Sequence, residues 1–262
     1  MKESLYIIKI GGNIIDDEAM LSSFLKDFAS IAGHKILVHG GGKMATRVAE
    51  AMGVPQQILE GRRITDAETL KVVTMVYAGY INKNIVALLQ AAGCNAIGLC
   101  GADGNVMKAH KRIHPVTDYG FAGDVDEVNI GLMKAFMDQQ LSLVFSPLTH
   151  NGQGLLLNTN ADTIAQEIAK AMSELFEVSL VYCFEKPGVL LNAADDNSVI
   201  KNITVTSFID LKEKNIITEG MIPKLQNAFT ALEAGVKVVT IGHASNLQQL
   251  IQQQAGTSII NE

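Results

Sequence analysis

The residues best suited to chemistry in this chain are glycines that sit beside cations. Ile36-Leu37-Val38-His39 feeds Gly40-Gly41-Gly42-Lys43, an apolar run entering three consecutive glycines. A glycine turn lets backbone N–H groups close on an anion, and a helix starting at Lys43 adds partial positive charge at the same point. Leu5-Tyr6-Ile7-Ile8-Lys9-Ile10 enters Gly11-Gly12 in the same way. Lys9 is costly inside a buried strand unless its ammonium emerges at the strand's carboxyl end, where ligands gather in parallel sheets. Two strand–glycine–helix units thus open the chain, and each presents N–H groups to an anion.

Three readings compete at the triple glycine. A Walker loop requires Gly-x4-Gly-Lys-Ser/Thr; Leu37 stands at its first glycine and Met44 follows the lysine, so that reading fails. Gly40-x-Gly42-x-x-Ala45 matches a dinucleotide fingerprint, with Glu60 placed as the ribose acid. A turn that holds no ligand stays open as well.

Further along, Arg62 and Arg63 precede Thr65, which with Glu68 forms a capping box for a long helix. Adjacent arginines here are either solvated or placed to grip a carboxylate bidentately. Asn160 caps the next functional helix and puts Asp162 in its first turn, where the dipole favours a carboxylate. Lys224 falls at a helix start, where the dipole opposes a cation, and so calls for an anion nearby.

The elements that position these groups alternate between strands and helices. Strands are expected at Leu5–Ile10, Ile36–Val38, Ala96–Cys100, Leu141–Phe145, Gly154–Leu157, Leu180–Phe184 and Val236–Ile241, with Ser258–Ile260 as a closing edge. Helices are expected at Asp16–Ile31, Lys43–Met52, Thr65–Leu89, Asn129–Gln139, Asn160–Met172, from Pro223 through Leu232, and Asn246–Gln254. Gly101–Asp126 reads as a β-hairpin excursion, either a flap over a substrate or a decoration; His110 and His114 within it lack a third metal ligand.

The bulk composition narrows the class. The chain has 262 residues, 48% apolar, with 23 glycines and only 5 prolines, which fits a globular α/β protein. A net charge of −6 argues against a nucleic-acid surface. No apolar run is expected to reach the ~20 residues of a membrane span, and the first strand leaves no room for a signal peptide. Cys94, Cys100 and Cys183 read as reduced thiols of a cytoplasmic protein.

Taken together, Ile8-Lys9-Ile10-Gly11-Gly12, Val38-His39-Gly40-Gly41-Gly42, Gly61-Arg62-Arg63-Ile64-Thr65, Asn158-Thr159-Asn160-Ala161-Asp162 and Thr218-Glu219-Gly220-Met221-Ile222-Pro223-Lys224 resemble the amino acid kinase family. Within it, they are similar to the branch that phosphorylates N-acylglutamates. The motifs follow the family's order across nearly the whole chain, whereas the dinucleotide reading leaves Lys9, Asp162 and Lys224 unexplained.

The resemblance implies a three-layer αβα sandwich around an open, mainly parallel sheet, forming one domain over residues 1–262. Its N-terminal lobe (1–150) would hold the acyl amino acid and its C-terminal lobe (151–262) the ATP, with Mg²⁺ carried by the nucleotide. By the same resemblance Gly41, Gly42, Arg63 and Asn158 hold the substrate, and Arg63 pairs with its α-carboxylate. Lys9 and Lys224 stabilise the transferring phosphoryl group, with Asp162 orienting both. Gly11, Gly12, Glu185, Lys186, Pro187, Gly188, Val189, Leu190, Ile216, Ile217 and Thr218 line the nucleotide. No protein-held metal is implied. Phe184-Glu185-Lys186-Pro187 departs from the family, which usually has an aspartate at that strand's end.

The first strand begins about four residues in, so the N-terminal helix of arginine-inhibited hexameric members is expected to be absent and a homodimer present. N-succinyl-L-glutamate in place of N-acetyl-L-glutamate is an alternative, as are carbamate, aspartate, glutamate or UMP kinase activities. So is a non-catalytic amino-acid sensor, although that would be expected to have lost one of the three central residues.

Overall fold

The computed structural model describes residues 2–59, 61–217 and 221–261. Fourteen strands are described: β1 (Ser4–Ile10), β2 (His34–His39), β3 (Gln57–Leu59), β4 (Arg62–Ile64), β5 (Ala96–Leu99), β6 (Met107–Lys111), β7 (Ala122–Val128), β8 (Ser142–Phe145), β9 (Leu148–His150), β10 (Leu156–Thr159), β11 (Glu177–Phe184), β12 (Asn202–Ile203), β13 (Val238–His243) and β14 (Thr257–Ile259). Eight of them form one sheet in the order β12-β14-β13-β11-β1-β2-β8-β5, parallel except between β13 and β14. The central strand β1 pairs in parallel with β2 and β11, so Ile10, His39 and Cys183 lie side by side at one sheet edge. The glycine turns after β1 and β2 and the Glu185 turn after β11 therefore emerge together, at the carboxyl ends where open parallel sheets hold ligands.

Strand alternation sorts the core into two layers. Leu5 and Ile7 pack with Ile36, Val38 and Phe145 against helices α6 (Ile130–Asp138), α7 (Ala161–Met172), α8 (Val205–Glu213) and α9 (Ile222–Glu233). Ile8 and Ile10 pack with Leu37 and Val144 on the other face. That face is covered by α2 (Glu18–Ser30), α3 (Gly42–Ala51), α4 (Ala67–Val73), α5 (Asn82–Ala91) and α10 (Leu247–Ile251). The result is the expected αβα sandwich. Lys9 falls on the face of Leu5 and Ile7, toward α7, and this parity is what directs it at Asp162.

Several local expectations are corrected. The helix expected over Asp16–Ile31 is α2, preceded by a short α1 (Gly12–Asp16) that was not expected; Asp17 between them caps α2 by accepting from Met20 N at 2.9 Å. Asp66, not Thr65, caps α4, accepting from Thr69 N at 2.7 Å. Thr65 is fully buried and turns its hydroxyl to the site instead. Between α4 and α5 the helix widens to π geometry over Thr74–Ile81. The continuous helix Ala67–Ala91 is long and apolar enough to span a membrane by length and composition; 44% of its most apolar window is buried, and its inner face packs in the second core layer. β10 is shifted two residues beyond the expected strand, so Asn158 and Thr159 end a strand rather than start a turn. The hairpin β6–β7 closes with β9 and β10 into a small four-stranded barrel, and the sheet ends on β12 rather than on β14.

Candidate active site

Gly41 and Gly42 follow from steric necessity. Gly41 has φ +148°, and a Cβ there would lie 2.4 Å from Ile81 Cδ1, so the turn is open only to glycine. Gly41 is the N-cap of α3 and Gly11 the N-cap of α1, and neither offers a side chain to the first-turn N–H groups. Those donors remain available to an anion. The two turns nearly touch: a Cβ on Gly12 would stand 3.9 Å from Gly42 N and 4.0 Å from Lys43 N. Any side chain at Gly12 would fill the space directly over those donors.

Two cavities meet at this seam, and both are lined by Gly12 and Gly42. The first, of about 230 Å³, is bounded by the triple glycine, Arg62, Arg63, Tyr77 and the Asn158–Ala161 segment. The second, of about 470 Å³, is bounded by Gly11–Ile14, Lys43, Cys183–Lys186, Gly188, Met221, Lys224 and Ile241.

Side chains that hold one another frame the first cavity. Arg63, 9% exposed, donates from Nη2 to Gly42 O (2.8 Å) and Thr46 Oγ1 (2.9 Å), and from Nη1 to Gln56 Oε1. All three acceptors are neutral, so its charge stays available to a carboxylate. Asn158 Nδ2 donates to Thr65 Oγ1 (3.0 Å), which in turn donates to Arg63 O (3.0 Å). Beneath the glycines, His39 is wholly buried. Asn82 Nδ2 donates to His39 Nε2 (3.2 Å) and to Val144 O (3.0 Å), so Nδ1 carries the hydrogen and donates to Gly40 O (2.7 Å). Burial, with a smaller contribution from Lys83, lowers the His39 pKa to about 4 against the backbone bond's upward pull.

Asp162 follows Ala161 of the first cavity's wall, although neither it nor Lys9 is among the residues lining either cavity. Lys9 Nζ lies 2.8 Å from Asp162 Oδ1, an ion pair with both side chains largely buried. Burial would raise the Asp162 pKa, but Lys9 foremost, then Lys224 and Arg62, hold it below the ordinary carboxylate range. Burial lowers the Lys224 pKa, partly offset by Asp162. Lys224 Nζ sits 3.8 Å from the Phe184 ring centroid and Lys9 Nζ 5.4 Å, so one aromatic ring lies near both ammonium groups. Tyr182 OH donates to Asp162 O at 3.3 Å.

The structure thus brings together Lys9, Asp162, Lys224, Gly11, Gly12, Gly41, Gly42, Arg63 and Asn158. The nucleotide-side expectations divide. Glu185, Lys186 and Gly188 line the second cavity. Val189 is buried, its N–H donating to Thr257 Oγ1 at 2.8 Å; Leu190 bridges to Val199; Ile216 and Ile217 pack in the core. Pro187, Val189, Leu190, Ile216 and Ile217 are outside the cavity lining, and Thr218 lies outside the described residues, as do Glu219 and Gly220. The Asn13, Lys43 and Phe184 contributions were not anticipated. Lys43 was legible as the residue after three glycines; Phe184 was passed over because it stands in place of an expected polar residue.

This arrangement can hold two anions against one another, with cations at the seam. The chain matches the model of the amino acid kinase family over residues 4–243. It is 56% identical to an acetylglutamate kinase of Phocaeicola vulgatus over 95% of this chain and 97% of that one. It is 54% identical to an acetylglutamate kinase of Bacteroides thetaiotaomicron, covering 99% of each. A crystal structure of N-acetylglutamate synthase from Neisseria gonorrhoeae, complexed with coenzyme A and N-acetyl-glutamate, superimposes with a TM-score of 0.83 at 22% identity, over 100% of this chain and 60% of that one.

Proposed function

The chain belongs to the amino acid kinase family, and from that premise we propose that it phosphorylates the γ-carboxylate of an N-acyl-L-glutamate at the expense of ATP. N-acetyl-L-glutamate is the substrate the relatives' names support, and arginine biosynthesis the setting. The observation that carries this reading is the seam at Gly12 and Gly42, where two cavities of different size meet beside the Lys9–Asp162 pair.

In this reading Arg63 takes the α-carboxylate, Asn158 orients the backbone of the acyl amino acid, and the Gly41–Gly42 N–H groups receive the γ-carboxylate. A γ-carboxylate with pKa about 4.3 is already ionised at neutral pH, so no proton need be removed. The work left to the protein is alignment and charge stabilisation of a loose phosphoryl transition state. Lys9 and Lys224 supply that charge. Asp162 holds Lys9 in place and offsets part of the burial that lowers the Lys224 pKa. The second cavity fits a nucleotide: Gly11, Gly12 and Lys43 face the phosphates, and Ile14, Met221 and Ile241 offer an apolar bed for a base.

Mg²⁺ enters with the nucleotide. Among the described residues no group of three or more His, Cys, Asp or Glu is placed to hold a metal. The two-lobe division becomes a division of labour within one domain, although each cavity draws residues from both halves. Exposed Met75 and Tyr80 on the π segment of the long helix favour a homodimer through that face. Three free thiols suit a cytoplasmic setting, and the net negative charge suits small-molecule partners rather than nucleic acid or membrane.

Incubation with ATP, Mg²⁺ and hydroxylamine tests the reaction, since an acyl phosphate is trapped as a coloured hydroxamate. Signal with an N-acyl-L-glutamate is expected; signal only with free glutamate or aspartate would overturn the substrate class.

A further inference from the structure

On the sheet face that carries Lys9, two aromatic side chains of β11 stand beside the reacting groups. Lys9 lies opposite Tyr182 in the parallel register of β1 and β11, so the two side chains share a face. Phe184, two residues on, falls on the same face at the strand's carboxyl end and lines the second cavity. The rings of Tyr182 and Phe184 stack, with centroids 6.2 Å apart and planes inclined by 15°. Tyr182 is itself anchored, its hydroxyl donating to Asp162 O in the first turn of α7. Through Tyr182, Phe184 is fixed to the helix turn that supplies Asp162.

The two lysines are held unequally. Lys9 has an ion pair with Asp162 at 2.8 Å. Among the described residues, Lys224 makes no hydrogen bond and no ion pair within 4 Å; its ammonium stands 3.8 Å from the Phe184 ring centroid, with Lys9 Nζ 5.4 Å from the same centroid. Both fall within the ~6 Å at which a ring face attracts a cation. An aromatic partner has a physical advantage here. A second carboxylate would hold Lys224 as well, but it would offset the lysine's charge and repel a bound polyphosphate. A ring face holds an ammonium and leaves its full charge to meet the anion.

Resting on the phosphoryl-transfer reading, we propose that Phe184 is a positioning residue, whose ring face holds the Lys224 ammonium, and more weakly that of Lys9, where charge develops in the transition state. Phe184 itself carries no charge and exchanges no proton. Its contribution is to fix Lys224 before the reaction, so that no reorganisation is needed during it.

The test replaces Phe184 alone by phenylalanine carrying one, two or three ring fluorines, with each enzyme followed in the hydroxamate assay. Fluorine withdraws electron density from the ring face with little change of shape, so a packing role is left intact. Loss of ~1–2 kcal/mol of cation–π attraction predicts a stepwise fall in kcat, reaching about 5- to 30-fold below wild type. KM for ATP and for the N-acyl-L-glutamate should stay within about threefold, and Tm should not change. Phe184→Leu should lose at least as much kcat as the trifluoro enzyme. A kcat that stays level or rises across the fluorine series would overturn the proposal even where Phe184→Leu is slow, since the ring would then serve as packing only, and the wild-type activity would leave the kinase reading intact. No turnover of any N-acyl-L-glutamate by the wild type would overturn both.

Discussion

The two cavities are built from the same device, a strand running into glycines at a helix start, yet they are finished differently. Around the smaller cavity each functional group is held by another: Arg63 by Gly42, Thr46 and Gln56, Asn158 by Thr65, and Gly40 by His39 and Asn82. Around the larger one the polar groups are looser. Lys186 pairs with Asp196 at 2.9 Å, with both side chains more than half exposed. The difference follows from what each site must distinguish. A small acyl amino acid offers few atoms, so selectivity requires donors fixed in advance. A nucleotide offers a polyphosphate and a large base, and tolerates a wider cradle.

The comparison yields graded expectations. The largest effect is expected at the seam, which serves both cavities: Lys9→Met should lower kcat by about 10²–10³-fold, as for loss of one preorganised oxyanion donor, with both KM values within about threefold. Steady-state kinetics with each substrate varied would check this, and a Lys9→Met enzyme with unchanged kcat would remove that lysine from the transition state.

Next comes the rigid side. His39 is neutral in the folded protein down to about pH 4, whereas the unfolded chain takes up its proton near 6.5. Its stabilising contribution is therefore full above pH 6.5 and is lost as pH falls toward 4, a loss of about 3 kcal/mol. Denaturant unfolding of wild type and His39→Gln across that window should show a steeper pH dependence in the wild type.

Arg63→Ala should raise KM for the acyl amino acid by about 10²-fold while leaving KM for ATP near its wild-type value, the loss of one charge-assisted pairing. Smallest of all, Lys186→Ala should change KM for ATP by less than about threefold, since an exposed ion pair contributes ~0–1 kcal/mol. A large effect at Lys186 would show that the nucleotide side is as tightly organised as the other.

Legibility in the sequence followed the same divide. The sandwich was readable because buried parallel strands write themselves as unbroken apolar runs, and because glycines mark where those runs stop. Lys9 was readable because a lysine two residues before a glycine turn has few bland explanations. Asp162 was not readable alone; a carboxylate in a first helical turn explains itself through the dipole, and only the parity of β1 aims Lys9 at it. The Thr65 cap failed because Asp66 competes for the same helix end, which leaves Thr65 free to join Asn158 across 93 positions of sequence. The nucleotide lining was only half readable. Val189 and Leu190 follow Gly188 in the turn, but their backbone is claimed by Thr257 and Val199.

The central claim is direct transfer between two anions held side by side across the Gly12–Gly42 seam. Initial velocities measured over a grid of ATP and N-acyl-L-glutamate concentrations test it most directly. Both substrates bound at once predict double-reciprocal lines that intersect, and no phosphate retained on the enzyme after exposure to labelled ATP alone. Parallel lines with a labelled phosphoenzyme would contradict the account.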